Sequence, residues 1–124
     1  MDSSRPYLVR AIHEWLIDNH QTPYLLVNAE QENVQVPVNY VEKGKIVLNV
    51  STSAVEQLHM DNDAVSFNAR FGGQPTNIYI PISACMAIYS KENGQGMVFK
   101  EEQNNEPDEP SKKNLSKPSL KIVK

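Results

Sequence analysis

Apolar side chains open the chain at a helical period. Tyr7, Leu8, Ala11, Ile12, Trp15 and Leu16 form one stripe on a helix of 3.6 residues per turn, with Arg10, His13, Glu14 and Asp18 largely off it. Ser4 ahead of Arg5 and Pro6 supplies an N-cap hydroxyl with proline in the first turn. His20-Gln21-Thr22-Pro23 breaks the pattern, so the helix is expected to end near Asn19. The stripe is wide and aromatic for an element at a chain end. Two burials suit it: against the domain's own sheet, or shared with a second subunit.

After Pro23 the period becomes that of strands. Residues 24–28 and 34–41 are rich in β-branched and aromatic side chains, with Val34, Val36, Val38 and Tyr40 alternating against Gln35, Pro37 and Asn39. Pro37 cannot donate to a ladder, which makes 34–41 an edge strand or one with its proline facing outward. Glu42-Lys43-Gly44-Lys45 reads as a hairpin turn into a strand over 46–50, residues 51–58 as one or two helical turns, and Asp61-Asn62-Asp63 as a turn. Val65, Phe67, Ala69 and Phe71 then share one face. Gly72-Gly73 allows the positive φ of a hairpin, and Ile78, Ile80 and Ile82 alternate after it. Residues 86–89 and 97–99 complete the set, joined by a turn at Asn93-Gly94-Gln95-Gly96. Short strands at this spacing predict a mainly β domain, a small barrel or sandwich, with one N-terminal helix.

Beyond Lys100 the apolar pattern stops. Residues 101–118 contain Pro107, Pro110 and Pro118 with Leu115 as the sole large apolar side chain, too little burial to offset chain entropy, so a disordered linker is expected. Three aliphatics return in Leu120-Lys121-Ile122-Val123-Lys124, where nothing local can pack on them, which suits a short docking motif. The division expected is therefore a folded domain over 1–100, a linker over 101–118 and a motif over 119–124. About 18 linker residues span roughly 23 Å root-mean-square and reach roughly 60 Å when extended.

Charge sharpens the tail and removes some function classes. The whole chain carries 12 Lys and Arg against 15 Asp and Glu, a net charge of −3, which argues against a protein that works by gripping phosphates. Residues 101–110 hold five acids and no base, and residues 111–124 five lysines and no acid. No apolar run approaches the roughly 20 residues of a membrane span, and residues 1–10 lack a signal-peptide pattern, so a cytoplasmic protein is expected. The single Cys85, within Ser-Ala-Cys-Met-Ala, reads as a buried small hydrophobe.

Catalytic signals are poor. His13, His20 and His59 lie apart, without metal-ligand spacing, and read as isolated surface histidines. Asp61 and Asp63 read as turn formers, since the calcium-loop spacing that would follow them is missing. Asn93-Gly94-Gln95-Gly96 lacks the lysine and hydroxyl of a phosphate loop, and no serine sits in G-x-S-x-G. A binding protein without catalytic residues, cofactor or metal is expected.

Several stretches together carry a resemblance. Arg5-Pro6-Tyr7-Leu8-Val9-Arg10-Ala11, Glu14-Trp15-Leu16-Ile17-Asp18-Asn19, Thr22-Pro23-Tyr24-Leu25, Ile46-Val47-Leu48-Asn49, Phe67-Asn68-Ala69-Arg70-Phe71-Gly72-Gly73 and Ala87-Ile88-Tyr89-Ser90-Lys91-Glu92-Asn93-Gly94 run in the order of the stringent starvation protein B family, SspB. Pro118-Ser119-Leu120-Lys121-Ile122-Val123-Lys124 is similar to that family's closing motif, with Lys for Arg and Ile for Val, while residues 101–117 show no match. The resemblance implies a dimeric, Sm-like β-domain that acts as an adaptor for the ClpXP protease. Each subunit would hold part of the ssrA degradation tag, which trans-translation adds to stalled nascent chains. The closing motif, Leu120, Lys121, Ile122, Val123 and Lys124, would dock on the N-terminal domain of ClpX. The subunit interface is expected at Tyr7, Leu8, Ala11 and Trp15, small Ala11 letting two helices approach. The peptide groove is expected along Phe67, Ala69, Arg70 and Phe71 with Ala54 opposite, Arg70 pairing with an acidic residue of the tag. Read without the resemblance, Phe67 and Phe71 also suit a core and Arg70 a solvated surface. A small β-barrel behind one helix would alternatively suit an Sm-like RNA-binding module, against which the charge balance stands.

Overall fold

In the computed structural model, which describes residues 3–99, the opening stripe is a 14-residue helix, α1 (Arg5–Asp18). Its capping hydroxyl belongs to Ser3, whose Oγ accepts from the Arg5 N–H at 3.1 Å, whereas Ser4 already has αR geometry and its side chain caps nothing. At the other end His20, at φ +61°, donates its N–H to the Ile17 carbonyl at 3.0 Å. Gln21 N–H reaches the Leu16 carbonyl at 2.9 Å, the paired bonds of a Schellman turn, with Pro23 just beyond. The helix therefore stops where the sequence places its end.

Which side of α1 is buried differs from the expected stripe. The inward residues are Arg5, Pro6, Val9, His13 and Leu16, while Tyr7, Ala11 and Trp15 are exposed and Leu8 half-buried. Two of the inward residues are polar, and each finds a partner. Arg5 Nη1 donates to the carbonyls of Ser83 and Cys85 at 3.2 and 3.0 Å, and His13 Nε2 donates to the Val50 carbonyl at 2.8 Å. A buried polar group left unmatched costs about 1–3 kcal/mol, so these bonds are what admit the two side chains to the interior. The surface placement expected of the histidines holds for His20 and His59 and fails for His13, which ties the helix to the sheet.

Among the described residues seven strands follow: β1 (Pro23–Asn28), β2 (Lys45–Asn49), β3 (Val55–Met60), β4 (Ala64–Phe71), β5 (Gln74–Pro81), β6 (Cys85–Ser90) and β7 (Gly96–Val98). They make two antiparallel sheets, one ordered β2-β1-β6-β7 and the other β3-β4-β5. The chain changes sheet through residues 50–54 and again through the 3-10 turn Ile82–Ala84. Leu25, Val27, Ile46, Leu48 and Ile88 of the first sheet share one core with Val65, Phe67, Ile78 and Ile80 of the second, and Val9 and Leu16 of α1 join it. The mainly β class with one helix is as expected. Among the described residues the sheets do not close into a barrel, so the Sm-like barrel is not what is found.

Two segments depart from their expected form. Residues 34–41 are not a strand. Gln35 alone exchanges two backbone bonds with Tyr79, at 2.8 and 3.1 Å, after which Pro37 caps a 3-10 turn, Val38–Tyr40. A proline without an N–H suits that position better than a ladder. Residues 51–58 make a single turn, Ala54 N–H to the Ser51 carbonyl at 3.0 Å, and then run as β3. The hairpin at Glu42-Lys43-Gly44-Lys45 forms as expected, with φ of +53° and +79° at its central residues and a reciprocal pair of bonds between Glu42 and Lys45. Gly72 and Gly73, at +59° and +82°, close β4 on β5 in the same way.

Cys85 lies wholly in the core, where burial pushes its thiol up to about 12 against the opposing pull of the Arg5 guanidinium. At the far end of the first sheet the Glu92 carboxylate accepts from the Thr22 N–H at 2.8 Å and its hydroxyl at 2.7 Å. The backbone bond first, then the hydroxyl, hold Glu92 down to about 2. Among the described residues no helix is long and apolar enough to cross a membrane. The expected linker over 101–118 and motif over 119–124 lie outside the described residues.

Candidate functional site

The turn at residues 51–54 and the near ends of β3 and β4 frame a cavity of about 330 Å³, within the size range of ligand sites. Ala54 and Ala69 leave it open, Arg70 and Glu56 give it charge of both signs, and Asn68 and Pro75 complete its outer wall. Backbone pairing fixes these positions, since Val55 stands opposite Ala69 and Glu56 opposite Asn68, while Arg70 faces Pro75 across the Gly72-Gly73 hairpin.

Arg70 is exposed at the end of β4 and donates from Nη1 to the Gly73 carbonyl at 3.1 Å. That single bond holds the guanidinium over the hairpin beside the cavity. The two aromatic residues expected in the groove are placed differently. Phe67 is only 2% exposed and belongs to the core, and Phe71, half-buried, packs its ring on Tyr40 with centroids 5.1 Å apart. Neither lines the cavity, so they support it from the inner face of β4. Ser53, Glu56, Asn68 and Pro75 line it without having been singled out by their sequence.

Further cavities lie among the described residues. One of about 570 Å³ lies beside the start of α1, between Pro6, Tyr7, Asn62 and Ile82. There Asn62 Nδ2 donates to the Tyr7 hydroxyl at 3.2 Å and Arg10 Nη2 donates to Asn62 Oδ1 at 3.0 Å, with the Arg10 guanidinium 4.8 Å from the Tyr7 ring centroid. Another, about 200 Å³, is bounded by Arg5, Lys43, Lys45 and Phe99. In the turn that carries Asn62, beside the first of these cavities, Asp61 Oδ1 accepts from the N–H groups of Asp63 and Ala64 at 2.8 and 2.9 Å, and the first of these bonds leads in drawing its pKa below the usual carboxylate value. Asp61 is thus a turn former, as its spacing predicts. Among the described residues no three His, Cys, Asp or Glu side chains are grouped to hold a metal.

Comparison with known proteins identifies the lineage. A family model described as stringent starvation protein B matches residues 3–123. The chain belongs to the stringent starvation protein B family. A stringent starvation protein B homolog from Haemophilus influenzae is 51% identical over 109 residues, which cover 84% of this chain and 73% of that protein. The SspB match runs on past the described domain into the C-terminal residues.

The other expected surface is the outer side of α1. Tyr7 is 51% and Trp15 46% exposed, and Ala11, one turn from each, is exposed between them with Leu8 beside it. These four side chains make an apolar face over the two turns from Tyr7 to Trp15, opposite the buried side of the helix.

Proposed function

We propose that this chain is a non-catalytic adaptor that grips proteins bearing the ssrA tag and delivers them to the ClpXP protease. The observation that carries the reading is the cavity where Ala54, Ala69 and Arg70 meet, in a chain of the SspB family. An extended peptide laid along the end of the β3-β4 pair contributes its backbone to polar contacts and its alternate side chains to pockets. The two alanines admit it, and Arg70 attracts an acidic side chain of the tag. No bond is made or broken by the adaptor. Its contribution is to raise the concentration of substrate beside the unfoldase.

The remaining parts take matching roles. Residues 1–100 form the tag-binding domain, 101–118 the tether, and Leu120, Lys121, Ile122, Val123 and Lys124 the motif that docks on the N-terminal domain of ClpX, in the cytoplasm. Two copies pair through Tyr7, Leu8, Ala11 and Trp15, and Phe67 and Phe71 stiffen the groove from beneath. Ala11→Glu puts a charge at the centre of that pairing, and light scattering is expected to fall from the mass of two chains to that of one, with the circular dichroism of the fold unchanged. A mass unaffected by the substitution would remove α1 from the interface.

Titration of the purified chain with a fluorescent ssrA-tag peptide and, separately, with single-stranded RNA tests the reading. Saturable binding of the peptide and none of the RNA is expected at physiological salt. Binding of RNA alone would replace the adaptor by a nucleic-acid-binding module.

A further inference from the structure

Asn68 stands in the middle of β4, opposite Glu56 of β3 and Asn77 of β5, on the wall of the cavity. Its carboxamide is the central member of a chain of amides across the outer face of the sheet. Asn77 Nδ2 donates to Asn68 Oδ1 at 2.8 Å, and Asn68 Nδ2 donates to Gln57 Oε1 at 2.5 Å. A carboxamide carries two amide hydrogens and two oxygen lone pairs, so each bond uses one and Asn68 keeps one donor and one acceptor. The direction is shared: turning Asn68 alone would set its NH2 against the NH2 of Asn77 and its oxygen against the oxygen of Gln57.

The member at the end of the chain is held at a cost. Gln57 has φ +57°, a left-handed conformation that disfavours a residue with a Cβ by about 1–2 kcal/mol. It lies in the bulge of β3, where residues 57 and 58 together oppose Phe67 between the pairs Glu56 with Asn68 and His59 with Ser66. A bulge bends its strand and re-aims a side chain, and here the side chain it aims meets Asn68. Asn68 and Arg70, two apart on β4, also share the outer face and the same cavity.

We propose that Asn68 is a peptide-binding residue of the groove, offering its remaining donor and acceptor to a main-chain amide of the extended peptide, with Gln57 and Asn77 as positioning residues that fix which way round the pair is presented. This rests on the adaptor reading and deepens it. A main-chain amide carries one N–H and one C=O and loses water when the peptide settles into the cavity, so both groups need partners there. A neutral carboxamide supplies one of each, whereas a carboxylate offers only acceptors and an ammonium only donors. Asn68 would then read the backbone and Arg70 the charge.

The test is a thermodynamic cycle. An ssrA-tag peptide and a series in which one backbone amide at a time is replaced by an ester, which lacks the N–H, are titrated against the wild-type chain and against Asn68→Ala. One ester position is expected to weaken binding to the wild type by about five- to tenfold, the size of one net hydrogen bond, and to cost nothing further in Asn68→Ala. Asn77→Asp, which can only accept, forces Asn68 to turn. It is expected to weaken binding to a similar extent and to have no effect when Asn68 is already alanine. Thermal unfolding is followed for each variant, and Asn68→Val, which suits a strand and carries no side-chain donor or acceptor, stands in if the alanine variant does not fold. Ester effects of equal size in both chains, or an Asn77→Asp effect that persists without Asn68, would overturn the inference while leaving the adaptor reading in place. Failure of the wild-type chain to bind the unmodified peptide would overturn both.

Discussion

Arg70→Glu is expected to weaken binding of an ssrA-tag peptide by about a hundredfold while moving the melting temperature by no more than about 2–4 °C. The two halves of that expectation have separate grounds. Stability changes little because Arg70 is exposed and its one bond, to the Gly73 carbonyl, spans a hairpin that two glycines at positive φ already close. Affinity changes much because a hydrogen bond to a charged group is worth about 1.5–3 kcal/mol, and each 1.4 kcal/mol is about tenfold. Reversal also places a second carboxylate on a cavity that Glu56 already borders, so an acidic tag residue meets repulsion in place of attraction. Arg70→Lys should fall between, since an ammonium keeps the charge and loses the planar fork. Fluorescence anisotropy at two salt concentrations measures all three chains, and the gap between them should narrow at the higher salt. An unchanged affinity for Arg70→Glu would return Arg70 to being a solvated charge on the hairpin.

How far the molecule is legible from its sequence varies with what its patterns encode. β4 and β5 are plain because strict alternation, Val65 and Phe67 on one arm and Ile78 and Ile80 on the other, is joined by a glycine pair that allows one hairpin register. The alternation of Val34, Val36, Val38 and Tyr40 is equally regular and misleads. Val38 and Tyr40 are in fact exposed, and Val34 and Val36 pack on the core from an irregular segment held by the Gln35 bridge. Residues 51–58 mislead for a different reason. The bulge at Gln57 puts Val55 and Leu58, three apart, toward the core, and a spacing of three in a strand imitates a helix.

The helix and the groove were each half legible. Periodicity finds α1 but does not say which part of a wide apolar stripe its own domain uses, and the two polar residues on the inward side, Arg5 and His13, are there because carbonyls of Ser83, Cys85 and Val50 receive them. Those acceptors lie 37 to 80 residues away in sequence, beyond any local pattern. Ala54, Ala69 and Arg70 were reached through family resemblance, and they do meet in one cavity. Asn68 was not, because an amide on the polar side of a strand looks like any solvent-facing residue until cross-strand register sets Gln57 and Asn77 beside it.

Deleting residues 120–124 is expected to leave tag binding within about twofold of the full chain and to abolish the enhancement of degradation by ClpXP. The cavity is built from residues 53–75, so nothing in the deletion touches it. The delivery step, in contrast, has no other anchor in this proposal. If residues 101–118 act as a tether, 18 residues would give a docked adaptor a local concentration on the order of millimolar, and the two tails of the proposed dimer would add avidity to a short motif that is weak alone. Without the motif the cargo is still held but is no longer held near the unfoldase, and degradation should proceed at the rate seen with no adaptor. A synthetic peptide of residues 119–124 supplies the complementary measurement. In excess it should compete with the tails and slow adaptor-dependent degradation, while leaving adaptor-independent degradation and tag binding unchanged. Normal enhancement by the truncated chain would place the docking surface on the folded domain, and the charge division of the tail, five acids followed by five lysines, would then need another purpose.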